Sequence, residues 1–148
     1  MPDPESRRLL ILDDDRARLR GFDAILPRLG EDWVAKTWRD APSMIAEFEA
    51  WSGGAQLISL DHDLYTDSPS DPDPGSGRMV AEFLSKLHPI CPVIVHSSNT
   101  DAAWGMFNEL TSGGWKVELV HQLNQPAWIE DLWLPVATRI AGRGQPRA

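Results

Sequence analysis

Residues 9–15 read Leu9-Leu10-Ile11-Leu12-Asp13-Asp14-Asp15, so four consecutive aliphatic residues run directly into three carboxylates. A continuous rather than alternating apolar run is typical of a parallel strand that is buried on both faces. The same transition recurs at residues 56–60, which run into Asp61, and at residues 92–95, which run into His96. The sequence therefore predicts buried parallel strands that end in ionisable side chains.

Segments with apolar residues at helical spacing separate these runs, and the two kinds of segment alternate five times. This alternation predicts a doubly wound α/β fold, in which helices cover both faces of a five-stranded parallel sheet. The two remaining strands are predicted at residues 33–38 and 116–120. The last helix is predicted over residues 126–141 with a kink at Pro135. On the fourth helix, Trp104 is predicted to face the core.

The composition predicts one domain over residues 1–148. The chain has a mass of 16.5 kDa, with 42% apolar and 24% charged residues. A chain of this length and composition buries a sizeable core. We expect only the tail, residues 142–148, to be frayed.

The charge balance and the single cysteine narrow the classes of function. There are 14 basic and 22 acidic residues, which give a net charge of -8 and argue against DNA binding by bulk charge. Cys91 has no partner for an internal disulfide, so a reducing compartment, the cytoplasm, is expected. The apolar runs are too short for a membrane span. Seven tryptophans leave a homodimer or another protein partner open.

Polar side chains follow four of the five predicted strands. In an open parallel sheet, ligands bind outside the carboxyl ends of the strands. Because these ends share one edge, the side chains that follow them are expected to form one site. They are Asp13 and Asp14 after strand one, Asp61, His62 and Asp63 after strand three, His96, Ser97 and Asn99 after strand four, and His121 after strand five.

Three of these acids predict a metal site. Asp13, Asp14 and Asp61 offer the oxygen ligands that Mg²⁺ or Mn²⁺ prefers, and such a site commonly handles phosphate. The alternative for each acid alone is a solvated turn residue or a helix cap. For Asp15, a helix cap or a solvent-facing position is the preferred interpretation.

Three motifs together resemble the receiver domain of two-component response regulators. They are Leu10-Ile11-Leu12-Asp13-Asp14, Ile58-Ser59-Leu60-Asp61 and Pro92-Val93-Ile94-Val95-His96-Ser97. The resemblance implies the strand order 2-1-3-4-5, a metal pair at Asp13 and Asp14, a phosphoacceptor at Asp61 and a phosphoryl contact at Ser97. One position departs from it, because receivers carry a lysine at the end of strand five, where this chain has His121.

Additional residues resemble a less familiar relative, the cyclic-phosphate processing receiver domain family. The chain reads Leu12-Asp13-Asp14-Asp15-Arg16, then Leu60-Asp61-His62-Asp63-Leu64, then His96-Ser97-Ser98-Asn99. This resemblance implies a domain that acts on cyclic phosphates in nucleic-acid repair or conflict.

The residues are compatible with a metal-assisted phosphoesterase or phosphodiesterase, a hydrolase that acts on cyclic or terminal phosphates of nucleotides or RNA ends. His96 and His62 would share the acid and base roles, and Asp63 would orient one of the imidazoles. Arg16 and the metal on the acids would offset phosphate charge. The hydrogen-bonding partners of the substrate would be Ser97, Asn99 and His121.

Other interpretations stay open at this point. A receiver phosphorylated on Asp61 would signal to a protein partner, and a non-catalytic domain would only bind a phosphate or cyclic nucleotide. His62 could be a loop residue in a salt bridge, and His96 could be a core imidazole whose ring nitrogens are hydrogen-bonded within the protein. Asn99 could be a helix cap. The segment 71–75 is either a lid or a solvated loop.

Overall fold

Five strands form one wholly parallel sheet in this computed structural model, which describes residues 5–123 and 127–141. In chain order the strands are β1 (Arg7–Leu12), β2 (Trp33–Trp38), β3 (Ala55–Leu60), β4 (Val93–Ser97) and β5 (Val117–His121). The spatial order is β2-β1-β3-β4-β5. Each neighbouring pair is parallel, and this confirms the predicted doubly wound fold.

Helices connect the strands and cover both faces of the sheet. They are α1 (Arg16–Ile25), which continues into a 3₁₀ turn (Leu26–Arg28), α2 (Ala41–Ser52), α3 (Gly77–Ser85), α4 (Thr100–Ser112) and α5 (Leu134–Ala141). A π-helical turn, Ile129–Trp133, leads directly into α5. Pro135, where the sequence predicted a kink, is the second residue of α5 and directly follows this change of helix type. The predicted start of the last helix at residue 126 and the tail from residue 142 lie outside the described residues.

Acidic and amide side chains cap three of the helices. Asp15 accepts a hydrogen bond from Arg18 N in α1, and Asp40 accepts one from Ser43 N in α2. Asn99 accepts one from Ala102 N in α4. Each cap satisfies a backbone donor that the first helical turn leaves without a partner. Asp15 therefore has the capping role that the sequence predicted.

The core has two layers, one on each face of the sheet. Alternate residues of a strand point to opposite faces, so Leu9 and Ile11 of β1 pack with α1, the π-helical turn and α5. Leu10 and Leu12 pack with α2, α3 and α4. All four side chains are fully buried, as the continuous apolar run predicted.

One predicted helix face is wrong. Trp104 is 50% exposed and lies with its ring 5.2 Å from that of Phe107 on the outer side of α4, whereas Met106 is fully buried. The inward stripe of α4 is therefore formed by Ala103, Met106 and Leu110. In the described parts of the chain, no helix combines the length and apolar character that crossing a membrane requires.

Candidate metal and phosphate site

Three carboxylates meet at the carboxyl edge of the sheet. Asp13 and Asp14 follow β1 and Asp61 follows β3, and these two strands are neighbours with Leu12 paired to Leu60. One oxygen from each carboxylate lies within 4.8 Å of the others. Asp13 and Asp61 are buried, and Asp14 is partly buried. We call Asp13, Asp14 and Asp61 the acid cluster.

The guanidinium of Arg18 lies among these carboxylates. Its Nε is 3.1 and 3.0 Å from the two Asp13 oxygens. Its Nη2 is 3.0 Å from Asp13 Oδ1, 3.3 Å from Asp14 Oδ1 and 3.2 Å from Asp61 Oδ2. Arg18 therefore supplies a positive charge to all three members of the acid cluster, with its side chain 22% exposed.

The two buried acids differ in their protonation. Burial, followed by the neighbouring charge of Asp13, raises the pKa of Asp61 from 3.8 to about 8, although Arg18 opposes the shift. Burial alone would also raise the pKa of Asp13, but the hydrogen bond and charge of His96, together with Arg18, hold it below its ordinary value. Asp13 is thus ionised near neutral pH, while Asp61 ionises readily only when further positive charge is present.

A chain of buried hydrogen bonds runs from the core to Asp13. The indole N–H of Trp133 donates to Ser59 Oγ at 2.9 Å, and Ser59 Oγ lies 2.6 Å from His96 Nδ1. His96 Nε2 lies 2.9 Å from Asp13 Oδ2. The Asp13 carboxylate can only accept, so His96 Nε2–H donates to it, and in the neutral ring Nδ1 then accepts the Ser59 hydroxyl proton. His96 is fully buried, so it reaches the acid cluster only through Asp13.

His62 and Asp63 form a second pair at the rim of the acid cluster. His62 Nδ1 lies 2.7 Å from Asp63 Oδ1, and the His62 backbone N–H donates to Asp61 Oδ1 at 2.8 Å. The His62 side chain is 21% exposed and that of Asp63 40% exposed. A carboxylate on Nδ1 fixes the orientation of the ring and leaves Nε2 available for proton transfer.

The remaining residues predicted for the site lie at the ends of β4 and β5. Ser97 is buried, and its Oγ accepts the Asn99 N–H at 3.0 Å, so its hydroxyl proton remains available. Asn99 caps α4, as one interpretation of the sequence had it. His121 pairs in register with Ser97 and is exposed. It therefore occupies the end of β5 where a receiver would carry a lysine.

Arg16 lies further from the acid cluster than its place in the motif suggests. Its Nη2 is 2.6 Å from Asp67 Oδ2, and Arg39 Nη2 is 3.1 Å from Asp67 Oδ1. Arg39, and then Arg16, lower the pKa of Asp67 to about 2. Arg39 also donates to the Asp14 backbone oxygen, from Nη2 at 2.9 Å. These contacts fasten the loop that contains Asp67 to the edge of the acid cluster.

The loop between β3 and α3 borders an open cleft of about 380 Å³. Tyr65 N donates to Asp14 Oδ2 at 2.9 Å, so the loop begins directly above the acid cluster. Its far end is held by the Ala41 N–H, which donates to Pro74 O at 2.8 Å. The cleft is lined by Arg39, Asp40, Tyr65, Asp67, Asp71 and Asp73, among others.

Sequence reasoning missed three contributors to this site. Arg18 follows Asp14 by four residues, a spacing that brings side chains together on a helix, and this was the available signal. Ser59 was visible as the one polar residue within the apolar run 57–60. Arg39 had no local signal, because its contacts with Asp14 and Asp67 are 25 and 28 residues apart in the chain.

The acid cluster fits a divalent cation of the magnesium class. Three carboxylates supply hard oxygen ligands from two adjacent strand ends, and Mg²⁺ usually binds through one or two carboxylates plus water and phosphate oxygens. Burial, and then the charge of Asp13, keep the pKa of Asp61 raised even with Arg18 present. A cation at this position would therefore favour the ionised form of Asp61.

Solved structures of response regulators share this fold. A CheY-like receiver domain protein of Methanospirillum hungatei JF-1 superposes with a TM-score of 0.64 at 20% identity, covering 93% of this chain and 98% of that one. The phosphorylated cyanobacterial phytochrome response regulator RcpA gives 0.65 at 18% identity, with 91% of each chain covered. A chain of the CheX-CheY-BeF3-Mg+2 complex from Borrelia burgdorferi gives 0.62 at 13% identity, with 88% of each covered.

A comparison with curated proteins found no significant match. A family model does match, and its description is the cyclic-phosphate processing receiver domain. The match runs over residues 8–112, from β1 to the end of α4, and so includes all three members of the acid cluster, the His62–Asp63 pair and His96. Since it covers most of the 148 residues, the chain belongs to the cyclic-phosphate processing receiver domain family.

Proposed function

We propose that this receiver domain binds a phosphate group at the acid cluster and hydrolyses it, as a metal-assisted phosphoesterase or phosphodiesterase. The substrate would be a cyclic or terminal phosphate of a nucleotide or an RNA end. The observation that carries the proposal is the His62–Asp63 pair, an oriented and partly exposed imidazole on the residue whose backbone N–H donates to Asp61. The name of the family, which refers to cyclic phosphates, supports the same substrate class.

Asp13, Asp14 and Asp61 would hold the cation, which is Mg²⁺ or Mn²⁺. When bound, such an ion neutralises phosphate charge and stabilises the charge that develops as a phosphate is attacked. The residues around it are suited to this, since the backbone N–H of His62 and the charge of Arg18 already stabilise the ionised form of Asp61.

His62 is the residue we assign to proton transfer. In the opening of a 2′,3′-cyclic phosphate, a water oxygen bonds to phosphorus while one of the two phosphorus–ribose oxygen bonds breaks. The proton that leaves the water moves to His62 Nε2, and the same nitrogen then returns a proton to the ribose oxygen that departs. Asp63 holds Nδ1 throughout, at 2.7 Å, and stabilises the imidazolium that forms between the two transfers.

His96 contributes to this reaction as a positioning residue. It is fully buried and contacts Asp13 at 2.9 Å, so it orients a metal ligand instead of meeting the substrate. The acid or base role predicted for His96 stays a prediction, and its burial favours His62 for that role. Ser97 would donate its free hydroxyl proton to the phosphate.

Three other residues are proposed substrate contacts, each through a different group. Asn99 retains its side-chain amide N–H₂ for the ribose or phosphate, since its Oδ1 is used by the cap. His121 is exposed at the end of β5, beside Ser97. Arg16 would have to leave Asp67 to reach a phosphate, because its guanidinium pairs with that carboxylate.

A second function is favoured by a different observation. Asp61 occupies the position at which receivers accept a phosphoryl group, and RcpA was solved in a phosphorylated state. In this function Asp61 would be phosphorylated and the domain would signal to a protein partner. The comparisons support it more directly than hydrolysis, because the similar structures are response regulators. The histidine at the end of β5 argues against it, since imidazole gives no constant positive charge near neutral pH.

One experiment separates these functions. Purified protein with Mg²⁺ or Mn²⁺ would be incubated with 2′,3′-cyclic, 3′,5′-cyclic and linear phosphate ends, and separately with acetyl phosphate. Mass spectrometry would follow the products and the intact protein. For a phosphoesterase we expect ring opening or phosphate release over many turnovers, and a loss of about 10²–10⁴ in rate in His62→Gln. His88→Gln is the matched control, because His88 is exposed and lies outside the site.

The other outcomes are equally informative. An adduct of one phosphoryl group on the wild type, absent in Asp61→Asn, would establish the receiver function. A ligand retained without product would instead indicate a binding domain. Wild-type turnover that survives intact in His62→Gln would remove His62 from the mechanism.

A further inference from the structure

Arg18 has an unusual position for a helical arginine. It lies in the first turn of α1, and its guanidinium turns back to the strand ends instead of pointing to solvent. Its Nη2 alone lies within 3.3 Å of an oxygen from each of the three carboxylates. This nitrogen is therefore at the point that a single ion shared by Asp13, Asp14 and Asp61 would have to occupy.

The oxygens that Arg18 uses are the ones a metal would need. Asp13 Oδ1 and Oδ2 both accept from the guanidinium, and Oδ2 also accepts from His96. The remaining Asp14 oxygen accepts from Tyr65 N, and the remaining Asp61 oxygen accepts from His62 N. Asp14 and Asp61 thus each have one oxygen that accepts from the backbone and one that is bound by Arg18. In Asp13 both oxygens contact Arg18, and each also accepts a second donor, Asp15 N at Oδ1 and His96 at Oδ2.

The two kinds of cation have incompatible geometries. Mg²⁺ requires oxygens at about 2.0–2.1 Å in octahedral geometry, whereas guanidinium nitrogens keep their acceptors near 3 Å. A metal centred among the three oxygens would overlap Nη2. The guanidinium has to withdraw before a metal can bind to all three carboxylates.

We propose that Arg18 is a resident counter-cation of the acid cluster and competes with the divalent cation for the same carboxylate oxygens. This inference rests on the metal site of the proposed function, but not on catalytic turnover. A metal can bind to the three carboxylates only if Arg18 loses several charge-assisted hydrogen bonds to them. The chain therefore has a lower affinity for Mg²⁺ than its three carboxylates alone would give.

The test is calorimetric titration of the full chain with MgCl₂, without substrate. Arg18→Met keeps the length of the side chain and removes the charge. We expect it to bind Mg²⁺ about tenfold more tightly, or better, since charge-assisted hydrogen bonds of this kind contribute at least that factor. Arg20→Met is the matched control, because Arg20 lies on the same helix, is exposed and changes the net charge equally. Its affinity should equal that of the wild type.

A second measurement on the wild type guards against misfolding of the variant. The Nε–H of Arg18 donates to Asp13 and is largely shielded from solvent, so it should exchange slowly and give a distinct NMR signal. Saturation with Mg²⁺ should broaden or shift this signal and speed its hydrogen exchange. The signals of Arg16 and Arg39 should move less.

The outcomes distinguish a failure of the proposed competition from a failure of the proposed metal site. Equal Mg²⁺ affinity in all three proteins, with an Nε–H signal that saturating Mg²⁺ leaves unchanged, overturns the competition and leaves the metal site standing. Absence of Mg²⁺ binding in all three overturns both the metal site and the competition. Binding by Arg18→Met alone would be the strongest support.

Discussion

The protonation of Asp61 links the acid cluster to the stability of the fold. Its pKa is about 8 in the folded protein against 3.8 ordinarily, mainly because the side chain is buried and secondly because Asp13 is close. Between these two values the folded protein holds a proton that the unfolded chain releases. The contribution of Asp61 to stability is therefore complete below about pH 3.8, decreases as the pH rises, and is gone above about pH 8.

Replacing Asp61 with asparagine should remove this pH dependence. In the presence of a chelator, we expect Asp61→Asn to exceed the wild type in free energy of unfolding at pH 8 by on the order of a few kcal/mol. The difference should shrink as the pH falls towards 4. Urea denaturation at several pH values would measure it.

The control for this comparison is Asp23→Asn, an exposed acid on α1. It should run parallel to the wild type over the whole range. A wild type and an Asp61→Asn variant with the same pH profile would show that Asp61 is ionised in the folded protein throughout. Addition of Mg²⁺ should stabilise the wild type at pH 8 and not Asp61→Asn.

Some residues of the site could be predicted from the sequence, and others could not. Sequence reasoning identified the acid cluster, because acids that follow neighbouring parallel strands must share an edge. It selected Arg16, although Arg18 contacts the acids, because the reach of a long side chain depends on how α1 is rotated about its axis. That rotation is fixed by distant packing, such as Phe22 against Trp133. The full burial of His96 likewise depends on the aromatic side chains that enclose it.

Among the elements, β3 and α3 are joined with no space for a side chain at Gly77. Gly77 N donates to His62 O at 2.9 Å at the first residue of α3, and a Cβ at Gly77 would overlap the backbone oxygen of Asp61. Met106 lies 2.8 Å from the same point. Only glycine lets the helix approach the acid cluster this closely.

We expect Gly77→Ala to displace the backbone after β3. The cost should be about 1–3 kcal/mol or more, since a backbone atom cannot move aside as a flexible side chain can. Mg²⁺ affinity should fall at the same time, because Asp61 moves with its backbone. Thermal unfolding and metal titration would measure the two effects.

Gly53→Ala is the natural comparison, because a Cβ at Gly53 would meet no atom within 4 Å and its φ is −64°. It should change neither quantity by much. If Gly77→Ala proved as mild as Gly53→Ala, the close approach would have no role in shaping the site.

The elements that are buried on all sides were the easiest to predict from the sequence. The three central strands, β1, β3 and β4, were found because both of their faces are covered, so their apolar runs are continuous. Helices have one buried face, and the phase of that face slips easily, as the exposed Trp104 shows. The path of the loop after β3 was not predictable, because it depends on Asp67 meeting arginines from two distant segments.

At the scale of the whole molecule, a polar chain on one face of the sheet connects the last helical segment to the sheet edge. It runs from Trp133, in the turn before α5, through Ser59 and His96 to Asp13. All of its members are buried, so no water can replace a lost partner at low cost. The helix at the end of the described chain is thereby bonded to a ligand of the proposed metal.

A double-mutant cycle would measure this connection. Ser59→Ala leaves Trp133 Nε1 and His96 Nδ1 without partners, and it should cost about 1–3 kcal/mol. In a Trp133→Phe background only His96 loses its partner, so the same substitution should cost about 1 kcal/mol less. Chemical denaturation of the four proteins would give the coupling.

Trp115→Phe provides the matched background. The indole of Trp115 is also buried, but it donates to Leu84 O and takes no part in the chain. Ser59→Ala should cost the same there as in the wild type. An equal cost in the Trp133→Phe background as well would mean that the chain is a row of independent contacts.

The ion pairs that hold Asp67 make the position of the loop after β3 depend on the salt concentration of the buffer. The contacts of Asp67 with Arg16 and Arg39 are exposed, and ion pairs of this kind are weakened as ionic strength rises. The bonds of Arg18 in the acid cluster are largely shielded from salt. The loop that borders the cleft and the neighbouring acid cluster therefore respond differently to a change in salt concentration. Crystals grown from concentrated salt and assays run in dilute buffer will sample different positions of this loop next to one unchanged acid cluster.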